Sequence, residues 1–189
     1  MKKLISINPA NENIINRYNQ YSEKEVQDII IKLSTTQFEW KEKSIDERIK
    51  IILKISDDLN VNLDSYAKLI TLEMGKPIRE SISEIKKCIN LCEYYCTNCH
   101  DFLKPENLDF DAKKSFVVFE PLGVILGIMP WNFPFWQVFR FAAPSMIAGN
   151  VAVLKHASNV QGCADAIEGL FIEVGIPNNT FRNLTIDSS

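Results

Sequence analysis

The chain has 189 residues, of which 46% are hydrophobic and 24% are charged, a composition that excludes a disordered or fibrous protein. The 21 Lys and Arg residues against 24 Asp and Glu residues give a formal net charge of −3, which excludes an electrostatic nucleic-acid binder. No apolar run approaches the roughly 20 residues of a membrane-spanning helix, so a membrane is not an expected partner. The apolar run at 4–7 is too short for a signal peptide, and we expect a cytoplasmic protein.

Five cysteines are an odd number, which favours free thiols in a reducing compartment over a disulfide framework. Residues 96–100 read Cys-Thr-Asn-Cys-His, the spacing of covalent haem attachment, and a zinc site with Cys88 and Cys92 is a second alternative. The four clustered cysteines, however, follow one another at i, i+4, i+8 and i+11. This spacing indicates one buried helical stripe and no metal site.

Four amphipathic helices are predicted in the first hundred residues. Residues 22–25 and 44–47 each form a capping box, in which a Ser hydroxyl and a Glu three residues later satisfy the first amides of a helix. Gly at the end and Pro at the start of helices mark the later boundaries. The predicted helices are 23–40, one that begins after Ser44, one that ends at Gly75, and one from Lys76-Pro77 to about Phe102.

Beyond Lys104 the sequence alternates between strand and helix patterns. The predicted elements are strands at 115–119 and 124–126, a mostly apolar helix at 134–147, a strand at 151–154, a helix at 162–174 and a third strand candidate at 181–186. This order predicts a parallel sheet that binds dinucleotides at the carboxyl ends of its strands. No G-x-G-x-x-G fingerprint is present, so spacing alone leaves nucleotide binding open.

Several motifs resemble those of the aldehyde dehydrogenase superfamily. They are 72–77, 120–124, 128–134, Ala143-Pro144, Gly149-Asn150, 153–155 and 175–177, and together they cover essentially the whole chain. Residues 154–160 and 184–186 are most similar to the succinate-semialdehyde dehydrogenase branch. The resemblance implies an α/β fold: an amino-terminal helical layer plus a partial Rossmann-like parallel sheet, truncated before the catalytic domain.

The resemblance also implies that the chain is divided into three structural parts. Residues 1–104 would form the helical layer, 105–125 a β-hairpin of the oligomerisation type that leads to the sheet, and 126–189 a partial βαβαβ dinucleotide-binding unit. For the full-length family we expect a homo-oligomer.

In such enzymes a cysteine thiolate attacks the aldehyde and generates an oxyanion that must be stabilised. Asn132 matches the oxyanion donor of the family motif. Its side-chain amide offers two N–H donors and no titratable charge, and Pro130 and Pro134 restrict the loop that carries it. Without the resemblance, a turn asparagine would be the simpler interpretation.

The resemblance likewise implies cofactor residues. The family's stretch along the cofactor groove is matched by Ile128, Met129, Pro130 and Trp131. Core packing is the alternative for Trp131. Lys155 matches a lysine that donates to ribose hydroxyls or phosphate. Ser158 stands where NAD-preferring relatives have glutamate, and its hydroxyl would not repel a 2′-phosphate, so we expect NADP, with NAD as the alternative.

The family's reactive cysteine and general-base glutamate are assigned to no residue of this chain. Cys163 lies in a context unlike the nucleophile motif, and Glu168 and Glu173 are interpreted as the solvated face of one helix. The resemblance therefore implies an amino-terminal fragment, inactive alone, of an NAD(P)-dependent enzyme that oxidises a small aldehyde such as succinate semialdehyde to the acid.

Two alternatives remain open. A separate carboxyl-terminal partner chain would complete the enzyme. A non-catalytic remnant would instead bind NADP weakly or dock onto a full-length relative through a hairpin at 115–125. In either case the strand at 181–186 should leave an exposed sheet edge, with marginal solubility as the consequence.

Overall fold

The structure of the protein is a computed structural model, in which residues 3–109 and 114–187 are described. Its first elements are the antiparallel strands β1 (Lys3–Ile7) and β2 (Ile14–Asn19). The sequence interpretation did not predict this pair. β1 buries only Leu4 and Ser6, and β2 has no fully buried residue, so neither strand carries a strong apolar alternation.

The helical layer follows as predicted. It consists of α1 (Glu23–Glu42), α2 (Ile45–Val61), α3 (Leu63–Met74) and α4 (Ile78–Leu103). Both predicted capping boxes form, at Ser22 and at Ser44. Gly75 adopts φ 80°, a left-handed conformation that terminates α3. Within the described residues, no helix has the length and apolar character needed to cross a bilayer.

The cysteine stripe also forms as predicted. Four cysteines lie buried along one face of α4, which packs against α2, α3 and α5: Cys88, Cys92, Cys96 and Cys99. His100, at the exposed end of α4, places Nε2 at 2.9 Å from Asp46 Oδ1. No group of His, Cys, Asp or Glu with metal-binding geometry occurs in the described parts of the chain.

A short hairpin precedes the sheet. β3 (Glu106–Asn107) pairs antiparallel with β4 (Phe116–Val117). The prediction of a hairpin within 115–125 is therefore wrong. β4 pairs with β3, whereas Val124 and Ile125 belong to the parallel sheet. The sequence predicts a polar connector at 109–114, between β3 and β4, and residues 110–113 of it lie outside the described residues.

The parallel sheet has the order β5–β6–β7, formed by β5 (Val124–Met129), β6 (Val151–His156) and β7 (Phe181–Asn183). Helices α5 (Trp136–Ile147) and α6 (Gln161–Glu173) connect the strands, and a 3₁₀ turn at Ser158–Val160 precedes α6. The expected α/β architecture is thus confirmed. The third strand is shorter than predicted, and among the described strands β7 occupies one edge of the sheet.

The sheet is covered differently on its two faces. Gly127 of β5 faces α5, where an added Cβ would overlap the ring of Phe141. The alternate side chains, Leu126 and Ile128, point to the other face, of which α1 covers only part. A row of stacked rings fills the core between α5, α6 and β7: Phe135, Phe139, Phe171 and Phe181.

Candidate functional site

The carboxyl ends of β5 and β6 lie side by side. Ile128 pairs with Lys155, and Met129 pairs with His156 at the last position of the ladder. The two connections that leave these strands, the loop 130–135 and the turn at Ser158, therefore start from the same edge of the sheet. Parallel α/β sheets bind their ligands at this edge.

An apolar groove of about 670 Å³ runs along the partly covered face of the sheet. Ile128, 69% exposed, and the half-buried Lys155 line it together, and Val26 and Ile30 of α1 form its opposite wall. Its volume falls in the range of small-molecule sites. Its lining carries two charged groups, the Lys155 ammonium at the end of β6 and the Asp187 carboxylate. The structure thus brings together Ile128 and Lys155, two of the predicted cofactor residues.

The other predicted residues lie around this groove rather than in its walls. Met129 packs partly buried against the core, on the far side of the strand from Ile128. Pro130 and Trp131 are exposed, and Trp131 borders a separate cavity with Ile5 and Asn159. Ser158 is half-buried at the start of the 3₁₀ turn. With 52% of its surface exposed, Trp131 is not the core residue that the alternative interpretation required.

Asn132 is exposed at the tip of the loop that follows β5, so its amide group is accessible from solvent. Residues immediately after it are held firmly. The side chain of His156, fully buried at the end of β6, places Nε2 at 2.8 Å from the carbonyl oxygen of Pro134, and the Ala157 N–H donates to its Nδ1 at 2.9 Å. Burial lowers the pKa of His156, consistent with a neutral ring that carries its proton on Nε2.

A buried ion pair lies beneath the same loop. Glu84 of α4 accepts hydrogen bonds at Oε1 from the amides of Phe135 (2.9 Å) and Trp136 (3.0 Å). Its Oε2 lies 2.5 Å from Nζ of Lys76, whose ammonium sits 3.8 Å from the centroid of the Phe133 ring. Sequence reasoning missed this pair, because an acid and a base eight residues apart resemble ordinary solvated charges.

A second buried carboxylate caps α6. Glu73 accepts from the amides of Gly162 (2.9 Å) and Cys163 (2.8 Å), and a Cβ on Gly162 would lie 2.7 Å from Glu73 Oε1. Burial, reinforced by the Glu73 charge, raises the pKa of the neighbouring Tyr18 to about 12. Because a carboxylate already occupies this helix N-terminus, a phosphate group is not accommodated there.

None of the five cysteines is placed as a nucleophile. All are buried, and burial raises the pKa of each thiol, that of Cys163 well above its ordinary value. The buried Cys163 thiol is thus not a nucleophile in this structure, as its sequence context predicts. The interpretation of Glu168 as a solvated side chain is wrong: it is 16% exposed and lies 2.5 Å from Nε of Arg182 on β7, a partner distant in sequence.

Comparison with known proteins identifies relatives of this chain. It is 42% identical over 97% of its length to a Synechocystis protein named "probable succinate-semialdehyde dehydrogenase [NADP(+)]", and 37% identical over 97% to the Escherichia coli succinate semialdehyde dehydrogenase [NAD(P)+] Sad. The crystal structure of succinic semialdehyde dehydrogenase from Streptococcus pyogenes in complex with NADP+ superposes with a TM-score of 0.94 at 28% identity, over 98% of this chain and 41% of that one.

The chain spans about 40% of the length of the curated relatives that it matches. The profile of the aldehyde dehydrogenase family matches residues 1–189. The chain therefore belongs to the aldehyde dehydrogenase family.

Proposed function

We propose that this chain supplies the cofactor groove and the oxyanion donor of an enzyme that oxidises a small aldehyde, succinate semialdehyde, to the acid. The observation that carries the proposal is the geometry of one sheet edge: Asn132 is exposed on the loop after β5, and Lys155 lines the open groove beside Ile128. The names of the relatives in Synechocystis and Escherichia coli support the same substrate and the use of NADP.

The residues around the groove fit such a cofactor. The groove has the volume of a small-molecule site, and its mostly apolar lining carries the Lys155 ammonium and the Asp187 carboxylate. Lys155 would hold ribose hydroxyls or phosphate, and Ser158 presents no carboxylate against a 2′-phosphate. NADP is therefore preferred and NAD is the alternative; when bound, either supplies the hydride acceptor. Glu73 keeps phosphate away from the α6 N-terminus, so the groove itself is the expected binding surface.

Asn132 would act on the oxygen of the substrate. When a thiolate adds to the aldehyde carbon, negative charge develops on that oxygen, and an N–H of the Asn132 amide donates to it. The amide carries no charge and changes no protonation state, so this stabilisation would be independent of pH. The thiolate would not come from this chain's five buried cysteines. The chain alone would then not turn over aldehyde, and a carboxyl-terminal segment or partner chain would supply the nucleophile.

Reconstitution tests this proposal. The purified chain is mixed with the segment of the Synechocystis relative that follows the matched region, and reduction of NADP by succinate semialdehyde is followed. Asn132→Ala should lower kcat about a hundredfold or more, because an oxyanion donor is worth that much. Asn13→Ala, at an exposed turn between β1 and β2, is the matched control and should change nothing. Equal turnover for both variants would refute the role of Asn132.

Cofactor titration of the chain alone tests the groove. Lys155→Ala should weaken NADP binding at least tenfold, since a charge-assisted hydrogen bond is worth about 1.5–3 kcal/mol. Lys68→Ala, an exposed lysine of α3, should leave affinity unchanged. Binding without turnover in the reconstituted mixture would favour the alternative of a non-catalytic remnant. The exposed Phe116 and Phe119 near β4 support docking of such a remnant onto a full-length relative, which co-elution would detect.

A further inference from the structure

The loop that carries Asn132 is short and is held mainly from below. It leaves β5 at Met129 and enters α5 at Trp136, so six residues connect the two elements. Glu84 binds its last amide, that of Phe135, and the first amide of the helix. His156 holds the carbonyl of Pro134. These contacts begin two residues after Asn132.

Lys76 extends this hold to the residue next to Asn132. Its ammonium binds Glu84 and faces the ring of Phe133, a residue that is 37% exposed. A desolvated cation over an aromatic ring is attracted to it. A single ion pair thus contacts Phe133 through the lysine and Phe135 and Trp136 through the carboxylate.

The chemistry of the pair explains why it forms in the interior. The Glu84 side chain is fully buried and that of Lys76 is 7% exposed, so both charges have lost water. Such a pair is retained only where further hydrogen bonds compensate the desolvation. Two amides at the positive end of α5 supply them. The carboxylate therefore has a strong preference for one position of the helix start and, with it, of the loop.

We infer that Glu84, with Lys76, is the positioning residue that aims the Asn132 amide at the reacting oxygen. Glu84 is 1% exposed and lies beneath the loop, so it touches neither substrate nor cofactor and acts through the loop alone. This inference rests on the proposed role of Asn132 and assigns its orientation to the helical layer, 48 residues away in sequence.

Hydrogen exchange of the intact chain tests whether Glu84 holds the start of α5 and the loop before it. In Glu84→Gln, a neutral oxygen replaces the carboxylate, and the amides of Phe135 and Trp136 should exchange about tenfold faster because hydrogen bonds to charged groups are the stronger ones. Glu73→Gln is the matched control, since it makes the same change at the start of α6. It should accelerate Gly162 and Cys163 and leave the loop unchanged. Unchanged exchange at 135 and 136 in Glu84→Gln would overturn the inference.

A variant without the buried charges guards against loss of folding. Glu84→Gln leaves Lys76 without its partner, whereas the double variant K76M/E84Q removes both charges and should fold. In this double variant the amides of Phe135 and Trp136 should again exchange about tenfold faster. Unchanged exchange at these two amides would overturn the inference.

Kinetics of the reconstituted enzyme test whether Glu84 and Lys76 affect catalysis through the Asn132 amide. The double variant K76M/E84Q should lower kcat about tenfold with KM for NADP unchanged, and it should have no further effect in an Asn132→Ala background, because it acts only through that amide. An equal loss in both backgrounds would overturn the inference. If Asn132→Ala itself leaves kcat unchanged, the proposed function fails instead, and the exchange experiment still decides whether Glu84 holds the loop.

Discussion

The two crossover helices of the sheet, α5 and α6, begin in the same way, but only α5 follows the loop that carries Asn132. Each starts just after the carboxyl end of a parallel strand, and each places its first amides on a buried glutamate of the helical layer, Glu84 for α5 and Glu73 for α6. Glu84 is also paired with Lys76, whereas Glu73 forms no salt bridge within the described residues. The α6 start is closed, while the α5 start follows the exposed Asn132 loop.

The far ends of the two helices extend this contrast. Arg48 Nε donates to the carbonyl of Ile147 at 2.8 Å and Trp40 Nε1 donates to that of Met146 at 3.0 Å, so the last turn of α5 is capped by the helical layer. The turn after α6 instead ends at Gly175 with φ 82°. The helix that follows the candidate site is thus anchored at both ends by side chains of complementary charge or dipole, a direct way to hold a loop still.

The largest expected difference is in the free energy of unfolding when either the Glu84 or the Glu73 carboxylate is removed. Glu84→Ala should reduce the free energy of unfolding by about 3–5 kcal/mol, because it leaves the Lys76 charge buried without a partner. Glu73→Ala should cost only about 1–3 kcal/mol, the penalty for amides left unsatisfied. Urea unfolding of both variants measures this difference. Equal losses would mean that the ion pair does not distinguish the two helix starts.

An intermediate effect is expected from crowding the α6 cap. Gly162→Ala would press a Cβ against the Glu73 carboxylate and should cost about 1–3 kcal/mol of unfolding free energy. Gly169→Ala on the same helix is the control: an added Cβ there meets no atom within 4 Å. It should stabilise the protein by about 0.5–1 kcal/mol through helix propensity. A stabilising Gly162→Ala would show that the close approach of Glu73 is not needed.

The smallest effect is a pH dependence at the loop. Burial, aided by the Lys155 charge, lowers the pKa of His156 in the folded protein. The unfolded chain therefore binds more protons as the pH falls through about 6.5, and the free energy of unfolding decreases there. Asp165 and Glu168, whose pKa values burial raises, oppose this slope, so the comparison must be with a variant.

His156→Gln keeps an N–H near Pro134 and removes the titrating group. Between pH 7 and 5.5 the wild-type protein should lose up to about 1 kcal/mol of unfolding free energy relative to this variant. Thermal unfolding across that range measures the difference. Parallel pH profiles for the two proteins would contradict a neutral, buried His156.

Local sequence signals predicted much of this fold. Ser22 and Ser44 open their helices as the capping boxes indicated, and the cysteines of α4 lie buried at their helical spacing. The alternation beyond Lys104 predicted the parallel sheet. β1 and β2 were not predicted. They pair only with each other in the described sheet, and most of their side chains are exposed, so they lack the apolar alternation that identifies a strand.

By itself the sequence determined the elements whose signals are local: caps, helical stripes, the order of strands and the family motifs around Asn132 and Lys155. Only the tertiary structure decided the pairing of charged groups. Lys76 pairs with Glu84 and Glu73 binds the α6 amides in the interior, and the half-buried Glu168 pairs with Arg182 of another element. Their energies depend on desolvation and on distance in space, and neither leaves a periodic trace in the chain.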